Sequence, residues 1–207
     1  MIKKIRRFVL MKMLIPLLRF IGGVMYDKKY LTGRYFDESL MGWRWVWRGF
    51  WTQKFMGINK HVPWPCSQAI AIDDPSGVIF DPNDMQNFLH TGCYFSNVGG
   101  GKIYLGSGTV IAPNVGIVTT NHSFEDPSIF LPPQDVHVGE KCWLALNCVL
   151  LPGVVLGPHT VVAAGAVVNK SYPEGNVVLA GVPAKVIRRL ETNESAQQVK
   201  AQMSKAQ

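Results

Sequence analysis

A six-residue rhythm between residues 105 and 173 constrains the fold more than any other feature of the sequence. Read in sixes, the chain gives LGSGTV, IAPNVG and IVTTNH and then, after an interruption, VGEKCW, LALNCV, LLPGVV, LGPHTV, VAAGAV and VNKSYP. All nine hexads open with Leu, Ile or Val, six have Gly or Ala second, and seven have Thr, Val, Cys or Ala fifth. Such a period is typical of a solenoid, in which each coil of chain stacks on the one before.

The composition of the hexads indicates how each coil is built. A large aliphatic residue and a small residue point inward from a short strand, and Gly, Asn or Pro turns the corner. Three such sides close a triangular coil of eighteen residues, and the coils stack at the ~4.8 Å spacing of parallel strands. We therefore predict a mainly-β fold, a parallel β-helix with a narrow aliphatic core.

The cysteines fit this core. The chain has four, at positions 66, 93, 142 and 148, without a CxxC pair or the Cys/His spacing of a zinc site. Cys142 and Cys148 occupy the small inward position on adjacent sides of one coil, which argues against a disulfide or a metal site there. We expect four reduced, buried thiols, as in a cytoplasmic protein, and no bound metal.

The positive charge is concentrated at the N-terminus. Residues 1–60 hold 13 Lys/Arg and 3 Asp/Glu, whereas residues 61–207 hold 8 and 11. No zinc finger or RNA-binding strand motif accompanies the basic segment, so anionic lipid is a better candidate partner than nucleic acid. Lys12 and Arg19 interrupt the apolar run, which is therefore too short to span a membrane. We expect a cytoplasmic protein in which residues 1–30 form either an interfacial helix at the inner face of the membrane or a helix packed on the main body.

Three segments follow from these patterns: a basic, aromatic, helical segment at 1–60, a β-helix at 61–190 with a loop at 123–137, and a polar tail or short helix at 191–207. In the first segment an aromatic stripe recurs at helical spacing, at Trp43, Trp47, Phe50, Trp51 and Phe55. We expect an amphipathic helix that buries this stripe against the main body. The alternative is a surface for an acceptor sugar or a lipid headgroup.

His122 is the candidate catalytic residue. It takes the sixth position of its hexad, at a corner, immediately before the loop 123–137, so its imidazole should point outward. With an ordinary pKa near ~6.5 such a ring can remove a proton near neutral pH, although a solvated loop histidine is the alternative. The other histidines are interpreted as turn or surface residues: His61, His90, His137 and His159. Candidates for orienting His122 or shaping its loop are its sequence neighbours Asn121, Glu125 and Asp126.

Several motifs together resemble a known family. The Asn-His pair with a loop after it, the stretch KCWLALNCVLLPGVVLGPHTVVAAGAVVNKSYPEG and the closing VLAGVPAKVIRR resemble the hexapeptide-repeat acyltransferases. These are left-handed parallel β-helix proteins that include galactoside, maltose and serine acetyltransferases. The resemblance covers residues 79–190. The GRYF stretch, the Trp-rich helix and HVPWP are similar to the O-acetyltransferases of bacterial capsule and lipopolysaccharide gene clusters.

The resemblance implies a left-handed helix, a homotrimer, and acetyl-CoA bound in the groove between neighbouring subunits, with His122 as general base. It also implies a set of donor-binding residues: Trp143, Ala145, Leu146, Ala164, Asn169, Lys170, Pro183, Lys185 and Arg188. Leu146 and Asn169 depart from the small or hydroxyl residues usual in the family. Lys170, Lys185 and Arg188 would supply positive charge for the phosphates of CoA.

The expected function is acetyl transfer from acetyl-CoA to a sugar hydroxyl of a bacterial surface polysaccharide or its precursor. Two alternatives stay open. One is an acetyltransferase acting on a small soluble acceptor, such as a simple sugar, serine or an amino-sugar nucleotide. The other is a non-catalytic β-helix used for assembly.

Overall fold

The computed structural model describes residues 2–191, with side chains from Met13 onward. Within that range the chain begins with two α helices, α1 (Ile2–Met25) and α2 (Met41–Gly49), and α2 continues into a π-helical turn at Phe50–Phe55. Short 3-10 helices lie at Lys28–Tyr30, Pro75–Gly77, Pro82–Phe88 and Val98–Gly100. The strands are β1 (Ala71–Ile72), β2 (Val78–Ile79), β3 (Tyr94–Ser96), β4 (Ile103–Leu105), β5 (Val110–Ile111), β6 (Gly116–Val118), β7 (Val136–Val138), β8 (Trp143–Leu144), β9 (Val149–Leu150), β10 (Val155–Leu156), β11 (Val161–Val162), β12 (Val167–Val168), β13 (Val177–Ala180) and β14 (Lys185–Arg189).

The strands wind around a triangular prism. Sheet A has the order β1-β3-β6-β9-β12, sheet B the order β2-β4-β7-β10, and sheet C the order β5-β8-β11-β13-β14. Paired strands are parallel except β13 and β14, whose antiparallel pairing was not predicted. Val149 pairs with Val167, eighteen residues further along, as three six-residue sides require. The fold is the predicted left-handed parallel β-helix with an N-terminal helical segment.

The side chains of the hexads point into or out of the prism as predicted. The first residue of every hexad is buried inside the prism: Leu105, Ile111, Ile117, Val138, Leu144, Leu150, Leu156, Val162 and Val168. The fifth residue is buried in the seven hexads that have a small side chain there. The other two hexads have Asn121 and Tyr172 at this position; Asn121 is exposed and Tyr172 is half-buried. All four cysteines are free and buried, and burial raises the pKa of the Cys66 and Cys148 thiols to about 12.

The turns between sheets form three columns of corners. The AB corner, where sheet A leads to sheet B, contains residues 97–101, 119–122, 151–153 and 169–171. The BC corner contains residues 106–109, 139–141, 157–159 and 174–176, and the CA corner residues 112–114, 145–147, 163–165 and 180–182. At the CA corner Asn147 and Gly165 have φ values of 60° and 69°, a backbone conformation that Asn and Gly adopt at least cost.

A buried amide helps to join the N-terminal segment to the residues that lead into the β-helix. Gln53 accepts hydrogen bonds from the Tyr26 hydroxyl (2.9 Å) and the Cys66 backbone N–H (3.0 Å), and its amide donates to the Trp64 carbonyl (3.2 Å). Trp64 is buried against aromatic rings, with Tyr30 at 4.8 Å between centroids. The helical segment and the prism therefore share one continuous hydrophobic core.

The expectation that the aromatic stripe packs against the main body was wrong. Of its five residues only Trp43 is buried, whereas Trp47 is 65% and Phe55 76% exposed. The buried residues of α2 and the following turn are instead Gly42, Trp43, Val46, Gly49 and Gln53. Gly49 leaves room for the Tyr26 side chain, and Gln53 forms buried hydrogen bonds, so this side of the helix is covered and the aromatic side faces out.

Two predicted boundaries can be compared with the strands. The loop predicted at 123–137 is shorter by two residues, because β7 begins at Val136. The β-helix predicted from residue 61 has its first strand at Ala71, after an extended stretch around Trp64. The predicted tail at 191–207 lies outside the described residues apart from Glu191.

Candidate active site

His122 lies where the regular coil is interrupted, at the AB corner four residues after β6. Its ring is exposed, as the hexad position predicts. The ring packs on Phe130 with 4.2 Å between centroids and 38° between planes. The imidazole is therefore exposed to solvent and packs on an aromatic neighbour.

The loop after His122 is a short antiparallel hairpin. His122 and Phe130 form a bridge, and the Leu131 N–H donates to the Asn121 carbonyl at 2.8 Å. The Ser123 N–H donates to the Ile129 carbonyl, also at 2.8 Å. Backbone pairing on both sides of His122 therefore fixes its position relative to the loop.

The two acids of the loop are engaged locally. Glu125 accepts from the Ser123 hydroxyl at 2.7 Å, and this hydrogen bond lowers the pKa of Glu125. Asp126 accepts from the Ser128 hydroxyl at 2.7 Å, which likewise lowers the pKa of Asp126. Among the side chains from Met13 to Glu191, no carboxylate is hydrogen-bonded to the His122 ring. The roles predicted for Glu125 and Asp126 stay predictions.

A polar cluster that the sequence analysis did not single out lies on the preceding coils of the same corner. The Ser96 hydroxyl donates to Asp73 at 2.8 Å and the Tyr94 hydroxyl donates to the same oxygen at 3.3 Å. The Thr119 N–H donates to the Ser96 carbonyl at 2.9 Å, so the cluster stacks directly on the strand that leads to His122. These residues precede the regular hexads, and the stacking that places them beside Thr119 is not visible in sequence.

The predicted donor-binding residues fall into separate groups. Ala145, Leu146 and Ala164 lie together at the CA corner, where the Gly165 N–H donates to the Leu146 carbonyl at 2.9 Å. Pro183 and Lys185 follow the same corner one coil later, and Lys185 pairs with Ala180. All of these except Ala145 are exposed.

The remaining predicted residues lie elsewhere on the prism. Trp143 projects from the outer face of sheet C and is 52% exposed. Asn169 and Lys170 follow β12 at the AB corner, two coils after the strand that precedes His122. Arg188 lies on β14, opposite Val178 at the edge of sheet C. Among the described side chains, no cluster of three or more His, Cys, Asp or Glu could hold a metal ion.

His122 and the small-residue corner are therefore separated within one chain. The strands of sheet A run from the CA corner to the AB corner, so the two groups lie at opposite ends of that side of the prism. The hairpin after His122 also exposes large apolar side chains, among them Phe124 at 95%.

Known proteins carry the same repeat. Residues 135–170 match the family described as bacterial transferase hexapeptide (six repeats). A protein of Escherichia coli (strain K12), named as a lipopolysaccharide biosynthesis O-acetyl transferase, is 38% identical over 127 residues, which are 55% of this chain and 61% of that protein. A colanic acid biosynthesis acetyltransferase of the same strain is 41% identical over 93 residues, 44% of this chain and 50% of that protein. Both names mark the assignment as provisional.

The chain spans about half the length of the curated relatives that it matches. Among solved structures, a hexapeptide-repeat-containing acetyltransferase of Vibrio cholerae, complexed with acetyl coenzyme A, superimposes with a TM-score of 0.51. It is 24% identical, and the match covers 59% of this chain and 66% of that one. This similarity shows the shared fold.

Proposed function

We propose that this chain, which carries the hexapeptide repeat of bacterial transferases in residues 135–170, is an acetyl-CoA-dependent O-acetyltransferase that uses His122 as its general base. The proposed acceptor is a sugar hydroxyl of a bacterial surface polysaccharide or its precursor. The observation that carries the proposal is the exposed His122 ring at the one corner where the regular hexads are interrupted.

The relatives support the reaction class and the acceptor class. Two of them are named for O-acetyl transfer or acetylation in the biosynthesis of lipopolysaccharide and colanic acid. The structural neighbour of Vibrio cholerae was solved with acetyl coenzyme A. The four buried free thiols suit a reducing compartment in which acetyl-CoA is present.

The described residues fit the donor. The CA corner offers small residues and exposed backbone along which a narrow pantetheine arm can lie, and Trp143 adds an exposed apolar ring. Lys185 and Arg188 are exposed on β14 beside this corner, and cationic side chains bind phosphate through charge-assisted hydrogen bonds.

We propose a homotrimer because one chain does not bring the two groups together. With prisms side by side, the His122 hairpin of one subunit would face the CA corner of its neighbour. The exposed apolar side chains of the hairpin, such as Phe124 and Ile129, would then be covered by that neighbour.

The chemistry requires a base because a free hydroxyl is a poor nucleophile. His122 takes the proton of the acceptor hydroxyl on a ring nitrogen. The hydroxyl oxygen forms a bond to the thioester carbonyl carbon, and the bond from that carbon to sulfur breaks. The imidazolium of His122 returns the proton to the thiolate. Backbone N–H groups at the groove would stabilise the oxyanion, and holding both substrates in line contributes much of the rate.

The test is to replace the base and measure transfer. His122→Ala should lose turnover by about 10²-fold or more, since general base catalysis contributes that much, while still binding acetyl-CoA in a thermal-shift assay. Release of free thiol from acetyl-CoA with a panel of glycans, simple sugars, serine and amino-sugar nucleotides follows the reaction and separates the acceptor classes.

A second histidine supplies the matched control. His159 lies at the BC corner with a φ of 54°, and Asn tolerates this left-handed conformation. His159→Asn should therefore retain wild-type turnover. Wild-type turnover in His122→Ala would contradict the assignment of the base. Failure of the wild type to bind acetyl-CoA would instead favour a non-catalytic β-helix.

A further inference from the structure

The outward side of α1 carries large apolar side chains in solvent. Met13, Leu17, Phe20, Ile21 and Val24 are exposed, with Val24 at 82%. Their spacing of three and four residues places them along one side of the helix. The opposite side packs on α2, where Gly22 lies close to Trp43 and Val46.

An aromatic row continues this apolar surface on α2 and its π-helical turn. Trp47, Phe50, Trp51 and Phe55 contact one another in sequence, with centroid distances from 5.1 to 6.1 Å. Each of these four rings is exposed. Aromatic side chains in mutual contact form an ordered surface, because each ring restricts the side-chain rotation of the next.

The two rows join into a single surface, which we call the helical face (residues 13–24 and 47–56). Phe20, Ile21 and Val24 from α1 line a cleft of about 500 Å³ together with Trp47 from α2 and Phe50 from the π-helical turn. An exposed apolar area of this extent on one segment is typical of an interaction site.

Positive charge borders the helical face. Arg44 and Arg48 line a second cleft of about 680 Å³ beside Trp45 and Trp47. By sequence, α1 contains no Asp or Glu, and residues 1–60 hold 13 Lys/Arg against 3 Asp/Glu. The partner of this face must therefore offer both an apolar interior that can take up these side chains and negative charge. A second copy of the same face would bring like charges together, which is unfavourable.

A bilayer surface with anionic lipids has both properties. Arg and Trp suit the headgroup region, because each has an apolar body and a polar end. No helix within the described residues is long and apolar enough to cross a membrane, so contact would be made along the surface.

We propose that the helical face binds the surface of a membrane that contains anionic phospholipids, with the apolar side chains inserted among the acyl chains and Arg44 and Arg48 at the lipid phosphates. This inference does not depend on the proposed acetyl transfer, since it rests on the N-terminal helices alone.

The experiment is cosedimentation of the full chain, without acetyl-CoA or acceptor, with vesicles of phosphatidylcholine alone or mixed with phosphatidylglycerol. The wild type should bind the anionic vesicles at least about tenfold more tightly, and high salt should weaken this binding. Phe20→Ser and Phe55→Ser should each weaken it about tenfold through lost insertion. Replacing Arg44 and Arg48 together with Gln should weaken it about twentyfold, and only on anionic vesicles.

The matched control is Ile79→Ser, which removes an exposed apolar side chain from β2 of the prism and should bind vesicles like the wild type. Circular dichroism and thermal unfolding identify any variant that is misfolded, and the Arg double variant keeps the apolar side chains intact. Equal binding to both vesicle types, or wild-type binding by the helical-face variants, would overturn the proposal. So would a lipid-free oligomer that Phe20→Ser dissociates, because the face would then be covered by another copy.

Discussion

Gly139→Ala tests the stacking of the coils by adding one methyl group at the BC corner. Gly139 belongs to a column with Gly106, Gly157 and Gly175, in which each glycine lies against the backbone of a neighbouring coil. A Cβ at residue 139 would lie 2.6 Å from the carbonyl carbon of Gly157, whereas ordinary contact begins at 3.4 Å. Because its φ is outside the left-handed region, the penalty is steric.

The size of the effect follows from that overlap. Relieving it requires the coils to separate by about 0.8 Å, which would stretch the 2.8 Å bond from the Gly139 N–H to the Leu156 carbonyl to about 3.6 Å. The bond from the His159 N–H to the Glu140 carbonyl crosses the same gap. Weakening two such bonds costs about 2–4 kcal/mol, in line with measured overpacking. The melting temperature should fall by roughly 6–12 °C.

The control is another glycine in the same β-helix. A Cβ at Gly116 would lie 3.6 Å from a Val149 methyl group, in ordinary contact, so Gly116→Ala should change stability by less than about 0.5 kcal/mol. Both variants are measured by thermal and urea unfolding at equal protein concentration, because association shifts apparent stability. An unchanged melting temperature in Gly139→Ala, or an equal loss in Gly116→Ala, would refute the stacking argument.

Three further predictions concern the thiols and the candidate site. Burial raises the pKa of Cys66 and Cys148 to about 12, so their protonated state stabilises the fold fully below pH ~9 and this contribution is lost as the pH rises toward ~12. Urea unfolding should therefore show stability falling above pH ~9 by up to about 1.4 kcal/mol per pH unit for each thiol; a slope unchanged in Cys148→Ala would contradict this. Phe130→Ala should lower kcat about 2–10-fold by releasing the His122 ring without changing acetyl-CoA affinity, whereas Phe55→Ala, which removes an exposed ring from the π-helical turn, should leave kcat unchanged; equal kcat in the two variants would exclude a positioning role. Lys185→Ala should raise the KM for acetyl-CoA about tenfold with little change in kcat, and an unaltered KM would remove this residue from the donor site.

The sequence predicted the β-helix and its interior because both depend on local pattern. A strand of the prism has one inward side, so a period of six sets which residues are buried, and all nine leading residues of the hexads follow it. The same register predicted an exposed corner for His122. The two hexads without a small fifth residue are the ones in which that position is exposed or half-buried.

The tertiary structure decided the features that depend on contacts between residues far apart in the sequence. Phe130 meets His122 only because the loop folds into a hairpin, and Asp73 joins this corner only because earlier coils stack above it. Neither pairing leaves a periodic signal in sequence. The separation of His122 from the CA corner follows likewise from which sheet each strand joins.

The aromatic stripe shows most clearly which features the sequence determined and which the tertiary structure decided. Helical spacing determined that Trp47, Trp51 and Phe55 share one side of a helix, and that part of the prediction was confirmed by their mutual contacts. Spacing carries no information on which side is covered, because that depends on what the rest of the chain places nearby. Here Gln53 forms buried hydrogen bonds with Trp64 and Cys66, in the extended stretch before β1, and the aromatic side is exposed to solvent.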